Sequence, residues 1–452
     1  MRGLAVVAVA LTGLGSGCHR SAMPPRPDGA AVVISPESTD DGVPTAPELE
    51  PNDTPATAQR LLVAPAAPAA VAATLQPRAP GPKHDVDFFQ ISAPSPDAGA
   101  PAAAPPDAGG PPPRPPFLVR ADVRPAAGLT VTLEALDAAG HVLVTAAGSQ
   151  PGEAVAIPNL PLAPPATALL RVRAAGEAAG ATSYRLTVHL VPFDAGAEIE
   201  PNGDAAHATD LQPGSEAVGY LGWRRDQDWY RLPTAAIPEG GVLSVDLDPV
   251  PEVGASLQLY GADGHKLTEA RGRKGERVVL RNVRVPAGDA AVFLVVRADT
   301  NWSADARYNL RPRADLPKAG TEAEPNDDQA HAQAIGDGTV TGYLARGDVD
   351  FFRYSTDGMA LLDVEVAPPE RGGVEVEVTR EDNTLLARAQ SLHHTPARIA
   401  GQPIPGGPVL IRVVPRHGAV DSDDPYRLTV SSRPAPALAP PTPATGGAPK
   451  AE

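Results

Sequence analysis

The sequence predicts an all-β protein built as three tandem antiparallel β-sandwiches. A phrase rich in Glu, Pro and Asn occurs three times, as ELEPNDTPATA from 48, EIEPNGDAAHA from 198 and EAEPNDDQAHA from 322. Each copy is followed by the same markers in the same order: a short apolar segment, an Asp-x-Asp-aromatic phrase, a hairpin-like stretch and a closing Tyr phrase. This repetition indicates one module used three times.

The aromatic phrases DVDFFQI from 85, DQDWYRL from 226 and DVDFFRY from 348 alternate with the period of two that β-strands have. One face is apolar and is expected in the core: Phe89, Ile91, Tyr230, Leu232, Phe352 and Tyr354. The opposite face carries Gln90, Arg231 and Arg353. The adjacent aromatics Trp229 and Phe351 are also expected mostly in cores, with a sugar-stacking platform as the alternative.

Three stretches, 133–143, 257–267 and 376–386, align without gaps and predict a β-hairpin in each copy. Their eighth residues are Gly140, Gly264 and Asn383, which tolerate the positive φ that hairpin turns require. The flanking residues alternate between apolar and polar. We therefore expect each of these residues to occupy a turn between two paired strands.

The closing phrases SYRLTV from 183, RYNLRP from 307 and PYRLTV from 425 predict one more strand in each copy. In the first copy Tyr184, Leu186 and Val188 should face the core, with Arg185 and Thr187 opposite. In the second copy Pro312 is expected to end the strand early, because proline cannot donate to a ladder.

These markers divide the chain into modules at 48–191, 198–314 and 322–432, with Pro/Ala-rich linkers. The first module is longer because a proline-dense stretch at 93–116 interrupts it, and we expect that stretch to be a disordered loop. Residues 19–47 and 433–452 lack periodicity, and we expect a disordered tether and a disordered tail.

Residues 1–18 have the layout of a secretory signal, with Arg2, an apolar run from Leu4 to Leu14 and small residues before Cys18. Cys18 is the only cysteine, so no intramolecular disulfide can form. Its position resembles the bacterial lipobox, which implies an acylated Cys18, membrane anchoring through an N-terminal lipid and, with His19 next, a location at the outer membrane. An ordinary cleaved signal is the alternative.

Composition and charge exclude several function classes. The formal charge of −16, without a basic block, argues against nucleic-acid binding, which depends on Lys and Arg. The chain contains none of the motifs GxSxG, HExxH, Walker loop or GxGxxG, so we expect neither an enzyme nor a small-molecule cofactor. The neighbouring His393 and His394 are expected in an exposed loop.

The ordered set of an ExEPND opening, a GxL strand, DxDxF and a closing YxLxV resembles the bacterial pre-peptidase C-terminal (PPC) domain, a family related to the collagen-binding domains of clostridial collagenases. The resemblance covers nearly all of 48–432. It implies a jelly-roll-like sandwich that is not itself catalytic. It also implies that the acidic openings bind calcium, as in the collagenase relatives.

The candidate metal ligands are carboxylate and amide oxygens from the openings and from the Asp-x-Asp phrases. Ca²⁺ prefers six to eight such oxygens, and in the second copy Gly203 replaces the aspartate, which makes that site the weakest prediction. The alternative is that Asn52 or Asp53 caps a helical turn, that the glutamates are solvated and that each DxD is a turn. The complete set is Glu48, Glu50, Asn52, Asp53, Asp85, Asp87, Glu198, Glu200, Asn202, Asp226, Asp228, Glu322, Glu324, Asn326, Asp327, Asp348 and Asp350.

Together these features predict an exported, membrane-anchored, non-catalytic lipoprotein of the cell envelope. Its three modules would bind or scaffold an extracellular protein or polysaccharide and would be stabilised by calcium. Two alternatives stay open: an accessory module for the secretion or maturation of a protease, and a hydrolase whose site is unrecognisable in the sequence.

Overall fold

The computed structural model describes residues 42–78, 83–93, 115–164, 166–176, 180–286, 288–345, 347–391, 395–416 and 421–436. The signal segment with Cys18, most of the tether, residues 94–114 of the insertion, His393, His394 and the tail from 437 lie outside these residues. Among the described residues no helix is long and apolar enough to cross a membrane.

The first module pairs two sheets, in the strand orders β1-β3-β12-β7-β10 and β2-β6-β11-β8-β9. A short 3-10 helix, Pro55–Thr57, precedes β2. The strands are β1 (Thr45–Pro47), β2 (Gln59–Leu62), β3 (Ala69–Leu75), β4 (Pro77–Arg78), β5 (Lys83–His84), β6 (Val86–Ser92), β7 (Phe117–Pro125), β8 (Val131–Leu136), β9 (Val142–Ala147), β10 (Val155–Leu162), β11 (Ala168–Ala174) and β12 (Thr182–Pro192).

The second module has the sheet orders β13-β15-β20-β17-β18 and β14-β21-β16-β19. Its 3-10 helix is Thr234–Ala236. The strands are β13 (Thr209–Asp210), β14 (Ala217–Leu221), β15 (Gln227–Pro233), β16 (Val242–Leu247), β17 (Gly254–Tyr260), β18 (Lys266–Arg271), β19 (Val278–Arg284), β20 (Ala291–Thr300) and β21 (Ser303–Asp315).

The third module repeats this plan, in the orders β22-β24-β29-β26-β27 and β23-β30-β25-β28. Its strands are β22 (Gln333–Ile335), β23 (Gly338–Leu344), β24 (Asp350–Thr356), β25 (Ala360–Ala367), β26 (Gly373–Arg380), β27 (Leu385–Gln390), β28 (Ala397–Ile404), β29 (Gly407–Arg416) and β30 (Asp421–Pro434). The predicted all-β class with three tandem sandwiches is thereby confirmed.

Each sheet pair encloses its own apolar core, and the three cores are separate clusters. The predicted inward residues of the aromatic strands are buried in them: Phe89, Ile91, Tyr230, Leu232, Phe352 and Tyr354. The turn residues also behave as predicted, with φ of 89° at Gly140, 80° at Gly264 and 68° at Asn383. Trp229 instead lies on the outer face of its sheet, stacked on Tyr260 with ring centroids 5.4 Å apart.

Five details differ from the sequence-based expectation, the first being that the sheets are not wholly antiparallel. Edge strands β1, β2, β13 and β22 pair in parallel with their neighbours. Strand β1 also lies inside the segment predicted as a tether, because its backbone bonds to β3. Likewise β30 extends to Pro434, past the predicted start of the tail, because Pro434 still lies opposite Ala360 of β25.

Strand β21 continues through Pro312 instead of ending there. The carbonyl of Pro312 accepts from the Gly214 nitrogen at 2.7 Å. Nitrogen and carbonyl of one residue point to the same side of an extended strand, and on this side β14 begins only at Ala217. The missing N–H of Pro312 therefore costs no ladder bond.

The outer face of β12 is also more covered than expected, since Arg185 and Thr187 are both buried. Arg185 donates from Nη2 to the Val43 carbonyl at 3.1 Å. The segment leading into β1 thus lies over this part of the sheet, and the outward-facing side chains of β12 lose their contact with water.

Candidate cation sites

Each module brings its acidic opening against its Asp-x-Asp strand, and three carboxylates converge there. Within each set the ligand oxygens lie within 4.8 Å of one another. We call these sets the first, second and third carboxylate clusters. They are Glu48, Glu50 and Asp87; Glu198, Glu200 and Asp228; and Glu322, Glu324 and Asp350.

One backbone hydrogen bond fixes the opening segment in the same way in every module. The asparagine carbonyl accepts from the nitrogen that follows the second aspartate: Phe88 to Asn52 at 2.9 Å, Trp229 to Asn202 at 3.0 Å and Phe351 to Asn326 at 2.9 Å. This hydrogen bond holds the backbone of each opening beside its Asp-x-Asp strand. This places alternate glutamates opposite the strand's aspartate.

The second glutamate of each opening folds back over its proline. Its carboxylate accepts from the asparagine nitrogen two residues on, at 2.9 Å for Glu50, 3.0 Å for Glu200 and 2.9 Å for Glu324. The Glu–Pro bond is cis in all three copies. The repeated conformation therefore extends to the backbone that carries the carboxylates.

The first glutamate is held by a backbone N–H of the neighbouring strand. Thr74 donates to Glu48 Oε2 at 2.9 Å and Tyr220 to Glu198 Oε1 at 2.8 Å, while Tyr343 donates to Glu322 Oε1. The strand must approach closely for this contact, and Gly219 and Gly342 allow it: a Cβ at either position would overlap both the glutamate and the tyrosine across the ladder. The first module has Ala73 at this place.

The closing-strand tyrosines complete the clusters. Tyr184 donates to Asp87 Oδ2 at 2.5 Å, Tyr308 lies 2.6 Å from Asp228 Oδ2, and Tyr426 donates to Glu322 Oε2 at 3.1 Å. Sequence reasoning assigned Tyr184 and Tyr426 to the core only. The sequence signal for this second role was that Tyr recurs at this position of every closing phrase, although Phe would fill the same space in a core.

The first aspartate of each DxD pair lies beside the cluster rather than within it. Backbone nitrogens donate to these carboxylates: Gln76 to Asp85 at 2.6 Å, Gly222 to Asp226 at 2.6 Å and Ala345 to Asp348 at 2.9 Å. One oxygen of each of these carboxylates therefore already accepts a backbone hydrogen bond. They remain near enough to add negative potential to each site.

The aspartate after the asparagine differs among the copies. Asp327 lines the same small cavity as Glu322 and Glu324, whereas Gly203 leaves the second copy without a carboxylate here. Asp204 does not replace it, because its carboxylate accepts from the His207 backbone at 3.0 Å and lies 2.8 Å from that ring.

Most of the cluster residues are buried, and several of their oxygens have no hydrogen-bond partner. The exposed fraction is 0% for Asn52, Asn202 and Asn326 and 2% for Glu200. In the openings and Asp-x-Asp strands that the structure describes, the orphaned buried oxygens are Asn52 Oδ1, Asp87 Oδ1, Glu200 Oε1, Asn202 Oδ1, Asp228 Oδ1, Asn326 Oδ1 and both carboxylate oxygens of Asp350. Buried oxygens of this kind are costly unless something compensates them.

Burial raises the pKa of these carboxyl groups, and their mutual repulsion adds to it. The pKa rises to about 9 for Asp87 and to about 8 for Glu322, in each case first through desolvation. Desolvation likewise raises the pKa of Glu200 and Asp228 well above the usual range. A bound cation would reverse this by favouring the charged forms.

The geometry disfavours the alternative interpretation of the openings as capped turns with solvated glutamates. In the first module Thr54, not Asn52 or Asp53, caps the 3-10 helix. Asn52 is buried, and Asp87 and Asp228 lie inside strands β6 and β15. Glu50 alone among the cluster glutamates is exposed. Acidic groups able to hold a metal ion are therefore present in each module.

No known protein family and no curated protein matches the chain. Among solved structures, it is similar over 46% of its length to the M60 catalytic domain with two CBM51 domains from Clostridium perfringens ZmpB, at 9% identity and a TM-score of 0.16; it spans 34% of that chain. The tandem CBM22 domains of Paenibacillus barcinonensis Xyn10C give 12% identity and a TM-score of 0.15, over 44% of this chain and 78% of that one. The mycobacterial arabinofuranosyltransferase AftD gives 12% identity and a TM-score of 0.13, over 73% of this chain and 33% of that one. Similarity at this level carries no argument about function.

Proposed function

We propose that this protein is an exported, membrane-anchored, non-catalytic lipoprotein that presents three β-sandwich modules, each stabilised by a calcium ion, to an extracellular ligand. The observation that carries the calcium part is the recurrence of orphaned, buried oxygens around each carboxylate cluster. Three copies of one costly arrangement are explained most simply by an ion that the arrangement binds.

The donor chemistry favours calcium over a transition metal. The groups that converge are carboxylate and amide oxygens, which suit hard cations, whereas zinc sites rely on Cys and His. Glutamates, aspartates and the asparagine would hold the ion, and their flexible stems suit the irregular, oxygen-rich shell of Ca²⁺ more than the strict octahedron of Mg²⁺.

The burial of the clusters supports a structural rather than a catalytic role for the ion. In the second module Glu198, Asp226 and Asp228 are all buried, and Tyr308 is fully buried against them. A catalytic metal needs an open coordination position for substrate or water. A site enclosed by a module's own strand and opening segment instead contributes its binding energy to folding.

Membrane anchoring rests on the sequence around Cys18, which follows an apolar run and small residues. Each buried methylene of an acyl chain contributes about 0.8 kcal/mol, so two or three chains would hold the protein firmly at a membrane. The residues between Cys18 and strand β1 would then link the lipid to the first module. The three modules would bind an extracellular protein or polysaccharide.

Calorimetric titration of the full chain with CaCl₂ tests the calcium proposal. We expect about three equivalents to bind, and Asp228→Asn to remove one of them. Asp357→Asn makes the same chemical change at an exposed turn away from the clusters and should leave all three. Absence of binding heat in the unaltered chain would refute the proposal.

Two further experiments test anchoring and ligand binding. Cys18→Ser should move the protein from the membrane fraction to the soluble fraction of the cell envelope. A glycan and matrix-protein array probed with the full chain in calcium should identify the ligand class. If the Cys18→Ser protein stays in the membrane fraction, anchoring by an N-terminal lipid is wrong.

A further inference from the structure

The second and third clusters lie where two modules meet, and a bulge of the preceding module reaches each of them. In β10 the register shifts between Ile157 and Leu160, and Asn159 there has φ 61°. In β19 the matching residue, Asn282, has φ 47°. Bulges turn backbone groups out of a ladder, so these two asparagines can bond outside their own sheets.

Both bulges bond to the glutamates of the following module. The carbonyl of Asn159 accepts from the Glu200 nitrogen at 3.1 Å, and that of Asn282 accepts from the Glu324 nitrogen at 3.1 Å. Asn159 Nδ2 also donates to Glu198 Oε1 at 3.2 Å. At the second junction Arg284 donates its backbone N–H to the Glu324 carbonyl at 2.7 Å.

Equivalent strands of the preceding modules close the space beside both clusters. At the first junction β9 contributes Val144 and Thr145 to a cavity of about 210 Å³ that Glu200 and Asp226 also line. At the second, β18 contributes Thr268 and Glu269 to a cavity of about 80 Å³ that Glu322, Glu324 and Asp348 line. The two junctions are therefore built on one plan.

Two comparisons among the described modules agree with this plan. Glu50 of the first cluster follows no module among the described residues and is exposed, whereas Glu200 is 2% and Glu324 8% exposed. In the third module the corresponding bulge in β28 carries Gly401, with φ 61°, and no acidic opening follows it. The asparagine is thus present at the two bulges that meet a cluster.

We propose that the second and third clusters are cation-locked joints: an ion bound there fixes the orientation of the preceding module through the bulge asparagine as well as stabilising its own module. The inference rests on the proposed calcium binding. A cation would neutralise carboxylates that otherwise repel one another, and it would thereby add to the backbone hydrogen bonds that hold the glutamates the bulge contacts. Orphaned Glu200 Oε1, Asn202 Oδ1 and Asp228 Oδ1, all at least nine-tenths buried, supply oxygens for the ion at the first junction.

Coupling of this kind is reciprocal. If the ion favours one inter-module orientation, then that orientation raises the affinity for the ion by the same factor. In the part of the chain that the structure describes, no bulge precedes the first cluster, so calcium binding there should leave both described junctions unaffected. It serves as the internal control.

The test measures distances between modules in the full chain by pulsed electron spin resonance. Exposed Gln150, Lys274 and Thr384 are replaced by cysteine in pairs and spin-labelled, with Cys18→Ser to leave no other thiol. In CaCl₂ we expect one narrow distance distribution for 150–274 and one for 274–384. In excess chelator each should become at least twofold wider.

Matched variants assign the effect to the bulges. Asn159→Gly, which reproduces the residue found at Gly401, should widen the 150–274 distribution in calcium and leave 274–384 unchanged. Asn282→Gly is the matched control: it retains the backbone carbonyl that bonds to the Glu324 nitrogen, so both distributions should stay as they are in the unaltered chain. Glu50→Gln should remove one binding equivalent and alter neither distribution.

The outcomes separate this inference from the calcium proposal. Equal widths with and without calcium, in a chain whose titration shows binding, overturn the joints and leave the calcium sites standing. A 150–274 distribution that stays narrow in Asn159→Gly overturns the role of the Asn159 side chain in the joint. A titration without heat refutes calcium binding and the joints together.

Discussion

The hydroxyl of Tyr308 lies 2.6 Å from Asp228 Oδ2, which connects the closing strand of the second module to its Asp-x-Asp strand. The same hydroxyl lies 3.0 Å from Glu198 Oε2, in the opening segment. One buried side chain thus contacts two carboxylates that arrive from different parts of the chain. Three markers of the repeat, namely the acidic opening, the Asp-x-Asp phrase and the closing Tyr phrase, therefore meet at this hydroxyl.

Tyr308→Phe should weaken calcium binding at the second cluster by about tenfold, since groups that orient metal ligands typically contribute tenfold to a hundredfold in affinity. Calorimetric titration should show one of three equivalents weakened. Tyr260→Phe is the matched control, because it removes a hydroxyl that bonds to Gln258 on the outer face of the same module. Equal affinities in Tyr308→Phe and the unaltered chain would contradict an orienting role.

Removing calcium should lower the melting temperature of the full chain. An ion at a hundredfold its dissociation constant stabilises a folded module by about 2.7 kcal/mol. For modules of this size that corresponds to roughly 10 °C. Differential scanning calorimetry in chelator, followed by restoration of excess CaCl₂, measures the shift and its reversibility. A melt that chelation leaves unchanged would rule out stabilisation by calcium.

The sequence predicts the fold well because its signals are local. Alternation within an aromatic strand places Phe89 and Tyr230 inward, and a residue that tolerates positive φ marks the turn at Gly140. These features depend on neighbours a few residues apart.

What the sequence does not reveal depends on contacts between distant segments. An inward Tyr308 has the same pattern as an inward Phe, and its role appears only when Gly219 is seen opposite it across the ladder. Asn159 belongs to a different module from Glu198, and the bulge that carries Asn159 produces no recognisable pattern in the sequence. Pro312 was misjudged for the same reason, because whether its missing N–H costs a ladder bond depends on where the distant strand β14 begins.

Gly342→Ala should destabilise the third module and remove its cation site. The added Cβ would overlap Glu322 Oε2 and the ring of Tyr426, and overpacking of this kind costs about 1–3 kcal/mol. Urea denaturation and calcium titration measure the two effects. Gly336→Ala is the control, because a Cβ there meets nothing within 4 Å. If both variants behave alike, close approach of the strand is not required.

Glu269 should contribute acid-dependent stability to the second module. Burial acts to raise the pKa of its carboxyl, but hydrogen bonds from Lys266, Arg271 and Gln258 outweigh it and lower the pKa from 4.5 to about 2. A lowered folded-state pKa means that the contribution is complete above pH 4.5 and is lost as the pH falls towards 2. The side chain is partly screened by water, so we expect at most about 1 kcal/mol at neutral pH.

Glu269→Gln tests this prediction. In buffer prepared without calcium, the variant should be less stable than the unaltered chain at pH 7, and the difference should shrink steadily between pH 4.5 and 2. Denaturation midpoints at each pH measure it. Because Gln retains the length of the side chain and loses only its charge, a difference that persists undiminished at pH 2 would contradict the ion pairs with Lys266 and Arg271 as the source of the effect.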